Sequence, residues 1–177
     1  MQQLTVSAIL PLPMARTAAD DVLAAEPDGP VLEEWYADLV VGYAAGPPYG
    51  ERYVTDTDLA ALEMRPRSLR RAAADNLAER LDQVEVHGLP PVFTLTFGGV
   101  ESALLTCDDV WESLESQVDG EIVVGVPTRD VMFVTGSKSE AGLAKVERAC
   151  ERIYFAGAEN PVSRPLLVRR AGVWYPF

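Results

Sequence analysis

The sequence contains few of the residues that common metal sites and histidine-dependent active sites require. Its 177 residues include one histidine, His87, and two widely separated cysteines, Cys107 and Cys150. Zinc and haem sites need several such ligands at fixed spacings, so we expect no metal and no cofactor. A serine or cysteine nucleophile would have to recruit His87, and no Gly-x-Ser-x-Gly motif is present. We therefore favour a protein that is not an enzyme, although a site built from two carboxylates stays open.

Phosphate-binding loops of the familiar kinds are also absent. The stretch TGSKSE, residues 135–140, places a lysine at a strand-to-helix step. The Walker pattern needs that lysine directly after a glycine, with another glycine five residues earlier. Here Ser137 intervenes and Val131 occupies the earlier position, and no Gly-x-Gly-x-x-Gly occurs. An ordinary helix cap explains this stretch better than a nucleotide site.

The chain has no long apolar run and no basic leader. No stretch approaches the roughly 20 apolar residues that span a bilayer, so we expect no membrane association. The N-terminal MQQLTVSAILPLPMAR has no basic start, which is untypical of a signal peptide. We therefore expect a cytoplasmic protein, in which Cys107 and Cys150 are free thiols.

Positive charge is scarce, with 15 Lys and Arg against 27 Asp and Glu and a net charge of −12. Eight acidic residues and no basic one lie between Arg16 and Arg52, and nine lie between Arg80 and Arg129. An acidic surface repels phosphate backbones, so we expect no nucleic-acid partner. It would attract a basic protein partner, or it would serve only to keep the protein soluble.

One short segment is strongly basic, namely MRPRSLRR, residues 64–71. Its arginines, among them Arg67, Arg70 and Arg71, crowd the start of a helix that begins at Pro66. Like charges there repel each other and oppose the helix dipole. Contacts to the acidic segments or to an anionic partner would offset this cost, and solvated side chains are the simpler alternative.

Predicted pairs of antiparallel strands alternate with predicted helices along the sequence, and this order predicts an α+β fold. We expect a two-layer domain with a mixed, mostly antiparallel sheet of short strands and three to four helices. Residues 1–177 form one domain, with 1–34 as its less certain part and 35–177 as its core. Pro11 and Pro13 should end a first strand, residues 38–55 should form a hairpin, and ESALLT, residues 101–106, should be a strand.

The stretch DGEIVVGVPTRDVMFVTG, residues 119–136, predicts a central hairpin. Apolar residues lie on both faces of its two strands, and Pro127 should end the first strand. Arg129 and Asp130 then project at the tip. An arginine there can hold a carboxylate or phosphate with two parallel hydrogen bonds, or it can pair with its own backbone.

Several blocks carry a family resemblance: DLVVGYAA, YVTDTDL, NLAERL, GVPTRDVMFVTGS and LLVRRAGVWYPF. Their order and spacing from about residue 35 onward resemble the YtpQ-like bacterial family, domain of unknown function 1444. The resemblance implies a bacterial, cytoplasmic α+β domain and no established activity. It draws attention to Asn76, Pro127, Arg129 and Asp130, which lie inside the matching blocks.

These observations leave three hypotheses. The first is a non-catalytic acidic domain that binds a basic protein, such as an immunity-type protein, because charge complementarity speeds capture. The second is an enzyme or a small anionic-ligand-binding protein with a concave pocket at the Arg129–Asp130 turn. The third is a subunit of a homo-oligomer. The candidate binding residues are Arg129, Asp130, Asn76, Arg67, Arg70 and Arg71, and none is proposed as catalytic.

Overall fold

The strands of this protein form two antiparallel sheets. The computed structural model describes residues 4–25, 28–157 and 159–177. The strands are β1 (Ile9–Ala15), β2 (Leu32–Glu34), β3 (Leu39–Ala45), β4 (Glu85–Leu89), β5 (Val92–Thr96), β6 (Ile122–Thr128), β7 (Val131–Gly136), β8 (Leu167–Arg170) and β9 (Val173–Pro176). One sheet has the order β1-β3-β2, and the other has the order β4-β5-β7-β6-β8-β9.

Five α-helices accompany the sheets in the described residues. They are α1 (Arg16–Ala25), α2 (Asp56–Ala61), α3 (Pro66–Ala78), α4 (Asp108–Leu114) and α5 (Glu140–Phe155). The predicted α+β class is therefore confirmed, but the described residues form two sheets where one was expected, and five helices where three to four were expected. No helix among the described residues is both long and apolar enough to cross a membrane.

One hydrophobic core joins the two sheets. Leu12 and Met14 of β1 belong to the same buried cluster as Leu95 of β5 and Val124 of β6. The described part of residues 1–34 contributes β1, α1 and β2, so it is integrated into the fold. This shared core brings β1 close to the connection between β6 and β7.

The prediction that Pro11 and Pro13 end the first strand is wrong. β1 continues through both prolines to Ala15, paired with β3 along its whole length. Every second N–H of an antiparallel strand points away from its partner. Ala15 has the same parity as the two prolines and donates its N–H outward, to the Pro161 carbonyl at 3.0 Å. The prolines therefore remove no bond to β3, as expected of an edge strand.

The prediction of a strand at ESALLT is also wrong, because Glu101–Thr106 forms a 3₁₀ helix. The turn before it has left-handed backbone at Gly98 and Gly99. The Glu101 carboxylate holds this turn by accepting the N–H groups of Phe97 at 2.7 Å and Gly99 at 3.2 Å. A short apolar run reads the same in a buried strand and in a buried helical segment, which explains the error.

The predicted hairpin over 38–55 forms only at the end next to its loop, where Ala45 N–H donates to the Arg52 carbonyl at 3.0 Å and Val54 N–H to the Tyr43 carbonyl at 2.8 Å. β3 pairs with β1 on one side and, over Val40–Gly42, with β2 on the other. The segment after the loop reaches only the end of β3, in an isolated bridge between Tyr53 and Ala44. β2, from the uncertain N-terminal part, therefore takes the place expected for this segment.

The helices after this segment begin as their sequences indicate. Thr55 and Asp58 form a reciprocal capping box at the start of α2. Arg52 donates to the Asp58 carboxylate at 2.6 Å. Burial alone raises the pKa of Asp58, but the hydrogen bonds from Thr55 and Arg52 outweigh it and lower that pKa. Pro66 occupies the first turn of α3.

The two cysteines are free thiols, as predicted, and both are buried. Cys150 lies on the inner side of α5, where burial raises the pKa of its thiol to about 12. Burial also raises the pKa of the Cys107 thiol. Both side chains therefore act as small apolar groups in the core.

Candidate functional site

The β6–β7 hairpin ends in a two-residue connection made of Arg129 and Asp130. Thr128 lies opposite Val131, and Gly125 lies opposite Phe133. β6 thus advances three residues where β7 advances two, which is a β-bulge. Pro127 lies within this bulge and does not end the strand, contrary to the prediction, because β6 continues to Thr128.

The main chain of Arg129 is held on both sides. Its N–H donates to the Asn160 carbonyl at 3.0 Å, and its carbonyl accepts the Ser102 N–H at 2.9 Å. The segment after Asn160 runs along the end of β6, with Val162 N–H donating to the Pro127 carbonyl at 3.1 Å. The same segment also accepts from Ala15 of β1, so the turn is fixed against the other sheet.

A pocket of about 270 Å³ lies beside Arg129. One part of its wall is apolar and comes from β1, α1 and the segment after Asn160, and it includes Leu12, Met14, Ala18, Val22 and Val162. The other part is polar and consists of Asp21, Glu51, Tyr53, Arg129 and Asn160. The turn that the sequence singled out therefore borders a concave, mixed surface.

The Arg129 guanidinium has no hydrogen-bond or ion-pair partner among residues 4–25, 28–157 and 159–177. Its Nε atom is buried and without an acceptor. Its Nη1 atom lies against Gly50, where any added Cβ would overlap with it. Gly50 also has a φ of +89°, a conformation that glycine adopts without strain. Gly50 thus provides the space that the guanidinium occupies.

Tyr53 adds a neutral phenol to this pocket. Its ring is 8% exposed, and burial raises the pKa of the hydroxyl, while the positive charge of Arg129 acts in the opposite direction. The phenol is therefore protonated at neutral pH and can serve as a hydrogen-bond donor or acceptor.

Asp130 does not line the pocket, although it is adjacent to Arg129 in sequence. Its side chain is exposed and accepts the Thr128 hydroxyl at 2.8 Å. This bond spans the turn, so the geometry gives Asp130 a role in shaping the connection.

Asn76 is engaged by the main chain of the N-terminal segment. Its Nδ2 donates to the carbonyls of Val6 at 2.7 Å and Ile9 at 2.9 Å. Both amide hydrogens are thereby used, and α3 is fastened to the start of β1. The geometry therefore gives Asn76 a structural role.

The arginines of α3 do not converge on the Arg129 pocket. Arg70 donates from Nε to the Glu33 carboxylate at 2.7 Å, so an acidic segment supplies its partner. Tyr43 adjoins this pair, and its pKa is raised to about 12, first by burial and then by Glu33. Arg67 and Arg71 are exposed and form no ion pair in the described part of the chain.

A second pocket, of about 610 Å³, adjoins Arg70. Three carboxylates line this pocket, and each pairs with an arginine. Two of the three arginines come from elements that do not line the pocket. The pairs are Arg70–Glu33, Arg16–Glu34 and Arg169–Asp108. The charges of this pocket are thus balanced within the protein, whereas the Arg129 guanidinium has no partner in the described part of the chain.

Within the described ranges, no group of three or more His, Cys, Asp or Glu side chains could hold a metal ion. His87 lies on exposed β4, with its Nε2 3.1 Å from the Glu85 carboxylate and 3.1 Å from the Thr96 hydroxyl. Its neighbours are those of a residue on a solvent-facing strand.

Sequence reasoning missed the pocket residues other than Arg129. Asp21, Gly50 and Tyr53 belong to segments that are far from Arg129 in the chain, and no local pattern links them. The glycine in the loop GPPYGE was visible, but its contact with an arginine 79 positions later (129 − 50) was not.

Comparison with known proteins gives distant bacterial relatives. No family model matches the sequence, and no solved structure is significantly similar. A UPF0354 protein of Bacillus cereus strain G9842 is 23% identical over 169 residues, and one of Bacillus mycoides strain KBAB4 is 22% identical. Each match covers 94% of this chain but 62% of the relative, so the chain spans less than two thirds of their length. The name specifies no activity. The chain is thus a distant homologue of bacterial UPF0354 proteins.

Proposed function

We propose that this protein binds a small organic carboxylate in the pocket beside Arg129. The observation that carries the proposal is the Arg129 guanidinium, which has no partner among the described residues and lies at the wall of a partly apolar cavity. A buried donor such as its Nε–H is costly unless it is hydrogen-bonded. A bound carboxylate would supply the missing acceptor, and its apolar part would lie on Leu12, Met14 and Val162.

The shape of the site supports this class of ligand. Pockets for drug-sized ligands have volumes of about 300–1,000 Å³, so a pocket of about 270 Å³ fits a smaller molecule. Arginine suits a planar carboxylate because it offers two parallel donors. The main-chain bonds at Asn160 and Ser102 hold the turn before the ligand arrives, which lowers the entropic cost of binding.

The test is calorimetric titration with two small carboxylates, leucine and 4-methylpentanoate, of the wild type and an Arg129→Met variant. Methionine keeps the apolar stem but removes the charge. We expect the wild type to bind at least one of them and the variant to bind it roughly tenfold or more weakly, because hydrogen bonds to charged groups contribute about 1.5–3 kcal/mol.

Arg67→Met is the matched control, because Arg67 is exposed and lies outside the pocket. It should bind as the wild type does. If the wild type binds neither carboxylate, or if Arg129→Met binds as tightly as the control, the proposal is wrong.

A second candidate function is capture of a basic protein partner. Five described acidic residues between Arg16 and Arg52 form no ion pair within the described ranges, namely Asp20, Asp21, Asp28, Asp38 and Glu51. By contrast, Asp108, Glu115 and Glu121 of the other acidic segment pair with Arg169 or Arg170. Asp82, Asp109, Glu112 and Asp119 of that segment also form no ion pair within the described residues. Asp20 and Asp21, however, are adjacent on α1, where their negative charge would steer a basic surface.

This second candidate predicts a salt-sensitive complex. Affinity capture from the native host should recover a basic protein at low salt and lose it at moderate salt, because screening weakens exposed charge pairs. An Asp20→Lys/Asp28→Lys double variant should lose the same protein at low salt. Equal recovery by the variant, or no recovery by the wild type, would rule the candidate out.

We also propose that the protein is YtpQ-like and that it is cytoplasmic. The UPF0354 relatives are compatible with the first, and the two free, buried thiols support the second.

A further inference from the structure

We infer that the carboxylate ligand of the Arg129 pocket also carries an ammonium group, which makes it a small apolar amino acid. This inference rests on the proposed function and specifies its ligand. It follows from the two carboxylates that line the same pocket, Asp21 and Glu51.

The charges around the pocket do not balance. Arg129 contributes one positive charge, whereas Asp21 and Glu51 contribute two negative charges, and neither carboxylate has an ion-pair partner among the described residues. A simple carboxylate would pair with Arg129 but would meet two like charges. A phosphate or a dicarboxylate would meet them with still more negative charge. A zwitterion satisfies both signs.

The arrangement of the residues suits the adjacent charges of an α-amino acid. Glu51 directly follows Gly50, the residue that lies against the Arg129 guanidinium. A carboxylate bound at Arg129 is therefore beside this segment. In an α-amino acid the ammonium is attached to the atom next to the carboxyl carbon, so both groups can be held at the polar side of the pocket.

The remaining wall suits an aliphatic side chain. Leu12, Met14, Val22 and Val162 line the apolar side. The volume of about 270 Å³ favours a single amino acid of leucine size over a peptide. Tyr53 and Asn160 add uncharged hydrogen-bonding groups to the polar side.

The experiment compares three probes of the same carbon skeleton by calorimetric titration at pH 7. Leucine has both charges, 4-methylpentanoate lacks the amine, and leucinamide lacks the carboxylate. We expect leucine to bind roughly threefold or more tightly than 4-methylpentanoate, since partly exposed ion pairs contribute modestly. We expect no detectable binding of leucinamide, because it leaves Arg129 without an anion.

Variants of the two carboxylates test the cause of this preference. Asp21→Asn and Glu51→Gln should weaken leucine binding and tighten 4-methylpentanoate binding, so that the ratio of the two affinities falls toward one. Glu112→Gln is the matched control, because Glu112 is exposed on α4 and outside the pocket. It should leave the ratio unchanged.

The outcomes separate this inference from the proposed function. If 4-methylpentanoate binds as tightly as leucine, and Arg129→Met abolishes binding of both, the inference is wrong and the proposed function stands. An unchanged ratio in both carboxylate variants also overturns the inference. If none of the three probes binds the wild type, both are wrong.

Discussion

Replacement of Trp111 by alanine is expected to lower the free energy of unfolding by about 3–5 kcal/mol, the range for large-to-small changes of core aromatics. Trp111 is fully buried on α4. Its ring meets that of Trp174 edge to face, with centroids 5.0 Å apart. Its Nε1 donates to the Leu104 carbonyl at 2.9 Å. Alanine would leave a cavity between α4 and Trp174 of β9, and the Leu104 carbonyl would keep only its bond from the Cys107 N–H.

Urea denaturation followed by circular dichroism measures this loss. Leu89→Ala is the control, because Leu89 is 80% exposed and should change stability by no more than about 0.5 kcal/mol. Trp111→Phe keeps an aromatic ring but loses the donor, and it should have an intermediate stability even if the alanine variant fails to fold. A Trp111→Ala variant as stable as the control would contradict the role assigned to this core.

Local patterns were sufficient for the elements whose structure depends on neighbouring residues. The apolar residues on both faces of 122–126 and 131–134 predicted central strands, and β6 and β7 do lie between β5 and β8. Leu69, Ala73 and Leu77 recur every fourth residue, and they form the buried face of α3. In each case the periodicity of burial is set by the geometry of the element itself.

The errors arose where distant segments decide the structure. Pro11 and Pro13 are compatible with a strand because β1 lies at an edge, which only the sheet order reveals. Glu101 reads as a surface residue, yet it is 3% exposed and organises a turn through two backbone N–H groups. A single sequence contains no signal for such long-range placement.

The candidate site shows the same division. The Arg129–Asp130 step was identifiable as a hairpin tip from its position between two apolar runs. The pocket beside it requires β1, α1 and residues 160–162 to meet that tip. Asn76 and Arg70 were candidates because of their positions in the sequence. The Asn76 side chain donates to the carbonyls of Val6 and Ile9, and the Arg70 side chain donates to Glu33. The sequence showed which residues carry charged or hydrogen-bonding groups, but it did not show which of them lie together in the fold.

Replacement of Gly125 by alanine is expected to destabilise the fold by about 1–3 kcal/mol, the range for overpacking. Gly125 lies in the middle of β6, against the inner side of α5. An added Cβ would lie 2.6 Å from Val146 Cγ1 and would overlap with Cys150 Sγ. The backbone of Gly125 needs no positive φ, so the predicted effect comes from the lack of space alone. α5 would have to move away from the sheet to make room.

A double-mutant cycle with Cys150→Ala tests this cause. Removing the thiol alone should cost about 1 kcal/mol of burial. The Gly125→Ala/Cys150→Ala variant should be more stable than Gly125→Ala, with a coupling energy of about 0.5–3 kcal/mol, because the removed sulfur vacates the space that the new methyl group needs. Cys107→Ala supplies the comparison: it removes the other buried thiol, at the start of α4, and should add to Gly125→Ala without coupling. Equal additivity for both pairs would mean that contact with Cys150 is not what requires glycine in β6.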